Sequence, residues 1–269
     1  MSPIIEQLVL DQVSFSYTST IRKPIIHDLS MQIPLQSVTT LLGLNGAGKT
    51  TLMMLLLGYF QPTSGKIYIM GSEGKRSIEE INGQVGYLPQ RENIPFDYYV
   101  AEFILLGRNN QIGIFSTPNE TDMEKVQQAM QFLQIEELAA RRLSNISGGE
   151  LQRVRIARLL VQDPKIILLD EPSSHLDIKS RGQMQDLILQ LKEMGKMIIY
   201  STHDPADALN FSDYSVLMKK GENIISGASD RVITSKTLSD CFETALEINQ
   251  INGQKIVLME NSRNGSSKK

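Results

Sequence analysis

An internal disulfide framework is excluded at once, because the 269 residues contain a single cysteine, Cys241. One thiol fits a reducing compartment, and beside Phe242 it reads as a core residue. Long apolar runs are missing too. The greasiest stretches, residues 52–60 and 166–169, fall short of the roughly 20 residues that span a bilayer. Residues 1–12 carry Glu6 and Asp11 but no basic stretch, so they are not expected to act as a secretory signal. Positive charge is not in excess: the formal net charge is -3 and the pI about 5.7, which leaves no electrostatic footprint for nucleic acid or for an anionic membrane surface. There is no internal repeat. The one polar, low-complexity tract is 261–269, expected to be a disordered tail.

What remains is an ordinary globular composition, 41% hydrophobic and 21% charged, in a chain long enough to bury a sizeable core. Residues 8–17 alternate apolar and polar, as half-exposed antiparallel strands do. Residues 38–42, 166–169 and 196–201 are largely apolar, the pattern of parallel strands covered on both faces. Met184, Leu187, Ile188, Leu191 and Met194 recur at helical spacing and are followed by Gly195, a natural C-terminal cap. Residues 123–135 and 150–161 read as helices as well. The order predicts an α/β core with a helical insertion at about 91–161.

The chemistry begins at Gly43-Leu44-Asn45-Gly46-Ala47-Gly48-Lys49-Thr50-Thr51. This run follows an apolar strand and opens a helical segment, the setting a P-loop requires. Glycines let backbone N–H groups turn inward around phosphates, and the helix N-terminus adds partial positive charge. Lys49 is expected to reach the β- and γ-phosphates and the Thr50 hydroxyl to ligate Mg²⁺. A second buried strand ends in Asp170-Glu171-Pro172. Neighbouring residues on an extended chain point to opposite sides, so Asp170 is free to serve the Mg²⁺ shell while Glu171 polarises an attacking water.

With Ser144-Asn145-Ile146-Ser147-Gly148-Gly149-Glu150 the chain resembles the nucleotide-binding domains of ABC transporters, whose signature LSGGQ this segment follows except for Ile146 and Glu150. The Ser147 hydroxyl and the Gly148 and Gly149 amides form a second anion nest at a helix N-terminus. The resemblance implies a P-loop NTPase core with a mostly parallel sheet, an N-terminal antiparallel β-subdomain and an inserted helical subdomain, in a single domain over 1–260. It implies ATP and Mg²⁺ as ligands. It makes Gln90 the glutamine that contacts metal and water, His203 the histidine that bonds the γ-phosphate, and Tyr17 the ring that stacks on adenine. Asp177 closes the matching D-loop Ser174-His175-Leu176-Asp177, where His175 reads as interfacial or structural. His27 carries no functional reading.

The stretches Ile94-Pro95-Phe96-Asp97-Tyr98-Tyr99-Val100, Leu105-Leu106-Gly107-Arg108 and Ile112-Gly113-Ile114-Phe115 resemble the subfamily that energises uptake of metal chelates (iron–siderophore, haem, cobalamin) or metal ions. In that subfamily the ATPase is a head-to-tail homodimer at the cytoplasmic face of the membrane. It works through separate permease subunits, fed by an extracytoplasmic binding protein. Phe96, Tyr98, Tyr99 and Phe103 are expected to form the centre of a permease-docking surface. The other reading of the same family resemblance is a soluble ABC ATPase for cofactor assembly or regulation.

Overall fold

Apolar residues on both faces mark strands that must lie between two layers, and alternation marks those that cover one. Residues 5–18, 24–72, 74–112, 117–174, 176–220 and 224–259 are described by a computed structural model. His175, residues 113–115 of the third subfamily stretch and the tail 261–269 lie outside the described residues.

The chain opens with β1 (Ile5–Phe15), β2 (Ile26–Pro34) and β3 (Val38–Leu42), then α1 (Lys49–Leu56), β4 (Ser64–Gly71), β5 (Gly74–Ser77) and β6 (Val85–Leu88). Helices α2 (Val100–Leu105), α3 (Glu120–Phe132) and α4 (Gly148–Leu160) follow before β7 (Ile166–Leu169). Next come α5 (Ile178–Glu193), β8 (Met197–Thr202), α6 (Pro205–Phe211), β9 (Tyr214–Leu217) and β10 (Ile225–Ala228). The described part closes with α7 (Ser229–Val232), α8 (Ser235–Phe242), β11 (Leu246–Ile251) and β12 (Gln254–Met259).

The strands form an antiparallel sheet in the order β2-β1-β4-β5, a six-stranded sheet in the order β10-β9-β3-β8-β7-β6, and the hairpin β11-β12. Within the six-stranded sheet every pairing is parallel except β10 with β9. The largely apolar strands β3, β7 and β8 are buried at every position, the hydroxyls of Thr39, Thr40, Ser201 and Thr202 included. β7 divides its side chains by parity. Ile167 and Leu169 join a core with helices α2 to α5, while Ile166 and Leu168 join one with α1 and the antiparallel sheet. Two layers therefore sandwich the parallel strands, and the functional motifs emerge at the strand C-termini, where ligands of open α/β sheets bind.

Two sequence expectations shift. Met184, Leu187, Ile188 and Leu191 are buried on α5, but Met194 is 59% exposed, because it is the helix C-cap where the chain turns away at Gly195 (φ 82°). Phe103, placed by sequence in an exposed aromatic surface, is 1% exposed. It sits in the α2–α4 core with the Arg158 guanidinium 4.3 Å above its ring. Cys241 is buried as expected. Truncating Phe103 to alanine leaves a cavity that this packed layer cannot refill. Phe103→Ala should lower the unfolding free energy by about 3–5 kcal/mol, read by denaturant titration; a loss below about 1 kcal/mol would mean the ring is not part of the core.

Candidate active site

The loop between β3 and α1 is shaped by backbone geometry before any side chain acts. Gly48, the N-cap of α1, has φ 103°, a region closed to most side chains. At Gly43 a Cβ would fall 2.2 Å from the Met218 carbonyl oxygen, just beyond β9. Glycine is therefore obligatory where the loop leaves the sheet. Lys49 folds back over this turn, donating to the carbonyls of Gly43 at 2.7 Å and Leu44 at 3.3 Å. Burial pushes its pKa below the ordinary lysine value, against the pull of Glu171 and then Asp170.

Asp170, 5% exposed, is satisfied from three directions. It accepts from Ser201 Oγ at 2.6 Å, Thr50 Oγ1 at 2.9 Å and Tyr87 OH at 3.4 Å. Desolvation, and then the Asp170 charge, raise the Tyr87 pKa, which keeps the phenol a donor. Ser201 does double duty, since its Oγ also accepts the Glu171 N–H at 2.9 Å. Glu171 departs from the plain strand alternation expected of the pair: its φ is 48°, in the left-handed region. Such a conformation costs on the order of 1–3 kcal/mol and persists only where neighbours hold it. Here Ser174 grips the Glu171 carbonyl through both its N–H (3.1 Å) and its Oγ (2.8 Å).

The turn aims the Glu171 carboxylate at a different set of groups. Oε1 lies 3.6 Å from Lys49 Nζ. Oε2 accepts from Gln90 Nε2 at 2.9 Å and lies 3.6 Å from His203 Nδ1. A cavity of about 490 Å³ runs along this face, lined among others by Asn45, Gln90, Glu171, Ser174 and His203. Lys49, Gln90, Glu171 and His203 thus meet as the sequence predicts, while Asp170 and Thr50 meet behind them.

Ser147 is the N-cap of α4. Its Oγ accepts the Glu150 N–H at 3.3 Å, and its own N–H donates to Glu150 Oε2 at 2.7 Å, a reciprocal capping box. That backbone bond holds the Glu150 carboxyl below the usual carboxylate range. Asp177 caps α5 without the reciprocal bond, its carboxylate accepting from Ser180 N at 2.7 Å. Ser147, Gly148, Gly149 and Asp177 line a second cavity of about 490 Å³, which reaches Gln90 and Glu171 but is lined by no P-loop residue.

Tyr17 is 55% exposed. Its hydroxyl shares a hydrogen bond with Thr51 Oγ1 at 2.9 Å, and its ring stands edge-on to Phe15 and Phe60. Sequence reasoning missed Phe60, Tyr87 and Ser201. The signal for Ser201 was present: with Thr202 it puts hydroxyls at the end of the apolar strand preceding His203. Thr50, Asp170 and Gln90 offer hard oxygen donors of the kind Mg²⁺ takes, two of them already within hydrogen-bond reach of each other. Among the described residues no three His, Cys, Asp or Glu side chains cluster to hold a metal by themselves. A cation at Thr50 and Asp170 would draw the rest of its shell from water and ligand oxygens, which a nucleotide phosphate can supply.

Fold and site together define a P-loop ATPase. The chain belongs to the ABC transporter family, whose profile matches residues 26–174. It is 32% identical to the manganese transport system ATP-binding protein MntB of Bacillus subtilis over 87% of this chain and 91% of that protein. It is also 32% identical to the iron(3+)-hydroxamate import ATP-binding protein FhuC of Bacillus subtilis, over 90% and 89% respectively. A chain from an inward-facing metal-chelate type ABC transporter superposes with a TM-score of 0.84 at 27% identity, covering 96% of this chain and 99% of that one. The protein is thus the ATPase of a transporter. No helix among the described residues is long and apolar enough to cross a membrane.

The Lys49 charge is balanced chiefly by Glu171. Glu171→Gln should therefore lower the Lys49 pKa further, followed through the lysine ¹³Cε shift against pH. An unchanged or raised midpoint would mean another group sets that charge.

Proposed function

We propose that this chain is the ATP-hydrolysing subunit of an importer for a metal chelate of the iron–siderophore type or a metal ion, acting through a separate permease. The observation that carries the hydrolytic reading is the Glu171 carboxylate, turned by its positive φ into the cavity shared with Gln90 and His203. The relatives, named for manganese transport, iron-hydroxamate import and metal-chelate transport, support the cargo class.

In this reading Gly43, Asn45, Gly46, Gly48, Lys49, Thr50 and Thr51 cradle the phosphates of ATP. Lys49 supplies the charge and the α1 N-terminus its amides. Glu171 takes the proton of the attacking water, which Gln90 orients, and His203 bonds the γ-phosphate. Mg²⁺, held by Thr50, Asp170 and Gln90, would supply charge neutralisation across the phosphates. Tyr17 stacks on adenine; its exposure, rather than burial in the β-surface, supports that role.

Lys49 and Ser147 each lie at their own helix N-terminus, so the second anion nest, Ser147, Gly148 and Gly149, together with Asp177, comes from the partner chain of a head-to-tail homodimer. The domain spans 1–260 with its helical insertion at 91–161. Phe96 at 67% exposure and Tyr99 at 41%, close behind Gln90, form the permease-docking surface without Phe103. The permease holds the subunit at the cytoplasmic face of the membrane and, on the other side, receives an extracytoplasmic binding protein.

Glu171→Gln should leave ATP binding nearly intact and slow turnover by at least about 100-fold. Turnover within a few-fold of wild type would remove Glu171 from the chemistry. For the cargo, the intact complex should co-purify with a permease and a binding protein whose bound metal is identified by mass spectrometry. A complex whose binding protein holds an organic nutrient free of metal would overturn the cargo class.

A further inference from the structure

The helix that begins at the Ser147 nest also grips the reaction centre from behind. Gln152 and Arg155 sit three positions apart on α4 and share a face. Gln152 Nε2 donates to the Pro172 carbonyl at 3.0 Å, immediately after Glu171. Arg155, 8% exposed, donates from each of its three guanidinium nitrogens. Nη2 donates to the Pro89 carbonyl at 2.6 Å, immediately before Gln90. Nε reaches Glu92 Oε2 at 3.2 Å, and Nη1 reaches Gln152 Oε1 at 2.9 Å. The other Glu92 oxygen is held by Arg158 at 2.6 Å. A planar guanidinium bonded to a carbonyl, a carboxylate and an amide fixes relative position in a way that an ammonium does not.

We propose that Arg155 is a positioning residue for ATP hydrolysis. It holds the Pro89 carbonyl so that Gln90 stays against Glu171 and, with Gln152, it joins α4 to the flank of each. This rests on the proposed roles of Gln90 and Glu171. Its consequence is directional: displacement of the Ser147 end of α4 is delivered to Gln90 and Glu171 of the same chain. In a head-to-tail dimer those two ends serve different nucleotides, so α4 links one ATP site to the other.

The test uses the full chain carrying Arg155→Lys or Glu92→Gln, each alone and combined with Gln90→Ala. ATP turnover, ATP binding and thermal unfolding are measured. Each single variant should lower kcat about 10-fold or more, as a misplaced reacting group does, with KM for ATP changed by less than about 2-fold. With Gln90 already alanine, the same substitutions should cost less than about 2-fold, because coupled residues are not additive. Full additivity with Gln90→Ala overturns the proposal, as does a loss carried entirely by KM. Failure of both variants to fold assigns the cluster to stability and overturns it as well. Glu171→Gln is run alongside: near wild-type turnover there removes the underlying reading, whereas a dead Glu171→Gln with an additive Arg155 cycle removes only the positioning role.

Discussion

A carboxylate held in the interior has to be satisfied, and the buried Asp170 is satisfied only if the sheet is assembled in one way. Its partners come from β8, from β6 and from the first turn of α1, while its own backbone N–H bonds the Leu88 carbonyl at 2.9 Å. Leaving a charged group unpartnered costs far more than a typical neutral hydrogen bond contributes. A slip of β7 against β6 or β8 would therefore strand that charge as well as turn Ile166 to Leu169 to the wrong layers. Strand register, the pairing of Asp170 with Thr50 and the direction of Glu171 are different readings of the same constraint.

The parts of the molecule legible in sequence are those whose signal is local. The glycine pattern at 43–48 encodes a turn that only glycine makes, and the buried strands are rich in apolar residues because both faces are covered. The segments 43–51 and 170–171, and His203, each follow a strand whose sequence pattern is local. Less was legible where the cause lies far along the chain. Glu171 takes its left-handed backbone from bonds to Ser201 and Ser174, which no pattern around Asp170 announces. Phe103 was read with its aromatic neighbours as surface, yet α2 turns it inward and Arg158, fifty-five positions on, covers it. Strict alternation also fails in β1, where irregular pairing between Leu10 and Val13 against β2 puts successive residues on the same side. The small C-terminal module of α7, α8, β11 and β12 carries no motif. Its core of Val232, Ile233, Leu238 and Leu246 is visible only once packed on Leu42, Ala208 and Leu217.

At Glu171 the bonds that fix the backbone are separate from the contacts that the carboxylate makes. The carboxylate meets a lysine, an amide and an imidazole, while the backbone N–H and carbonyl are held by Ser201 and Ser174. The same separation recurs at Ser147. Its lone pair accepts the Glu150 N–H while its hydroxyl proton can still donate, so the cap and the anion nest do not compete for one atom. Replacing the usual glutamine by Glu150 adds a carboxylate at the helix N-terminus, where the macrodipole favours it.

The close approach of Gly43 to the Met218 carbonyl bears on how the chain comes off the ribosome. β3 lies between β8 and β9, with Asp213 bonding both the N–H and the carbonyl of Val38. The phosphate-binding turn, written early in the sequence, is thus walled by residues synthesised very late. An emerging chain can form the β1–β2–β4 sheet by local pairing, but its central strand must wait for both neighbours. Contacts of that sequence separation are slow to form and leave apolar edges open meanwhile. Nucleotide therefore cannot template the early stages of folding. Nascent chains that stall before β9 should be recognised by chaperones and proteases as incomplete.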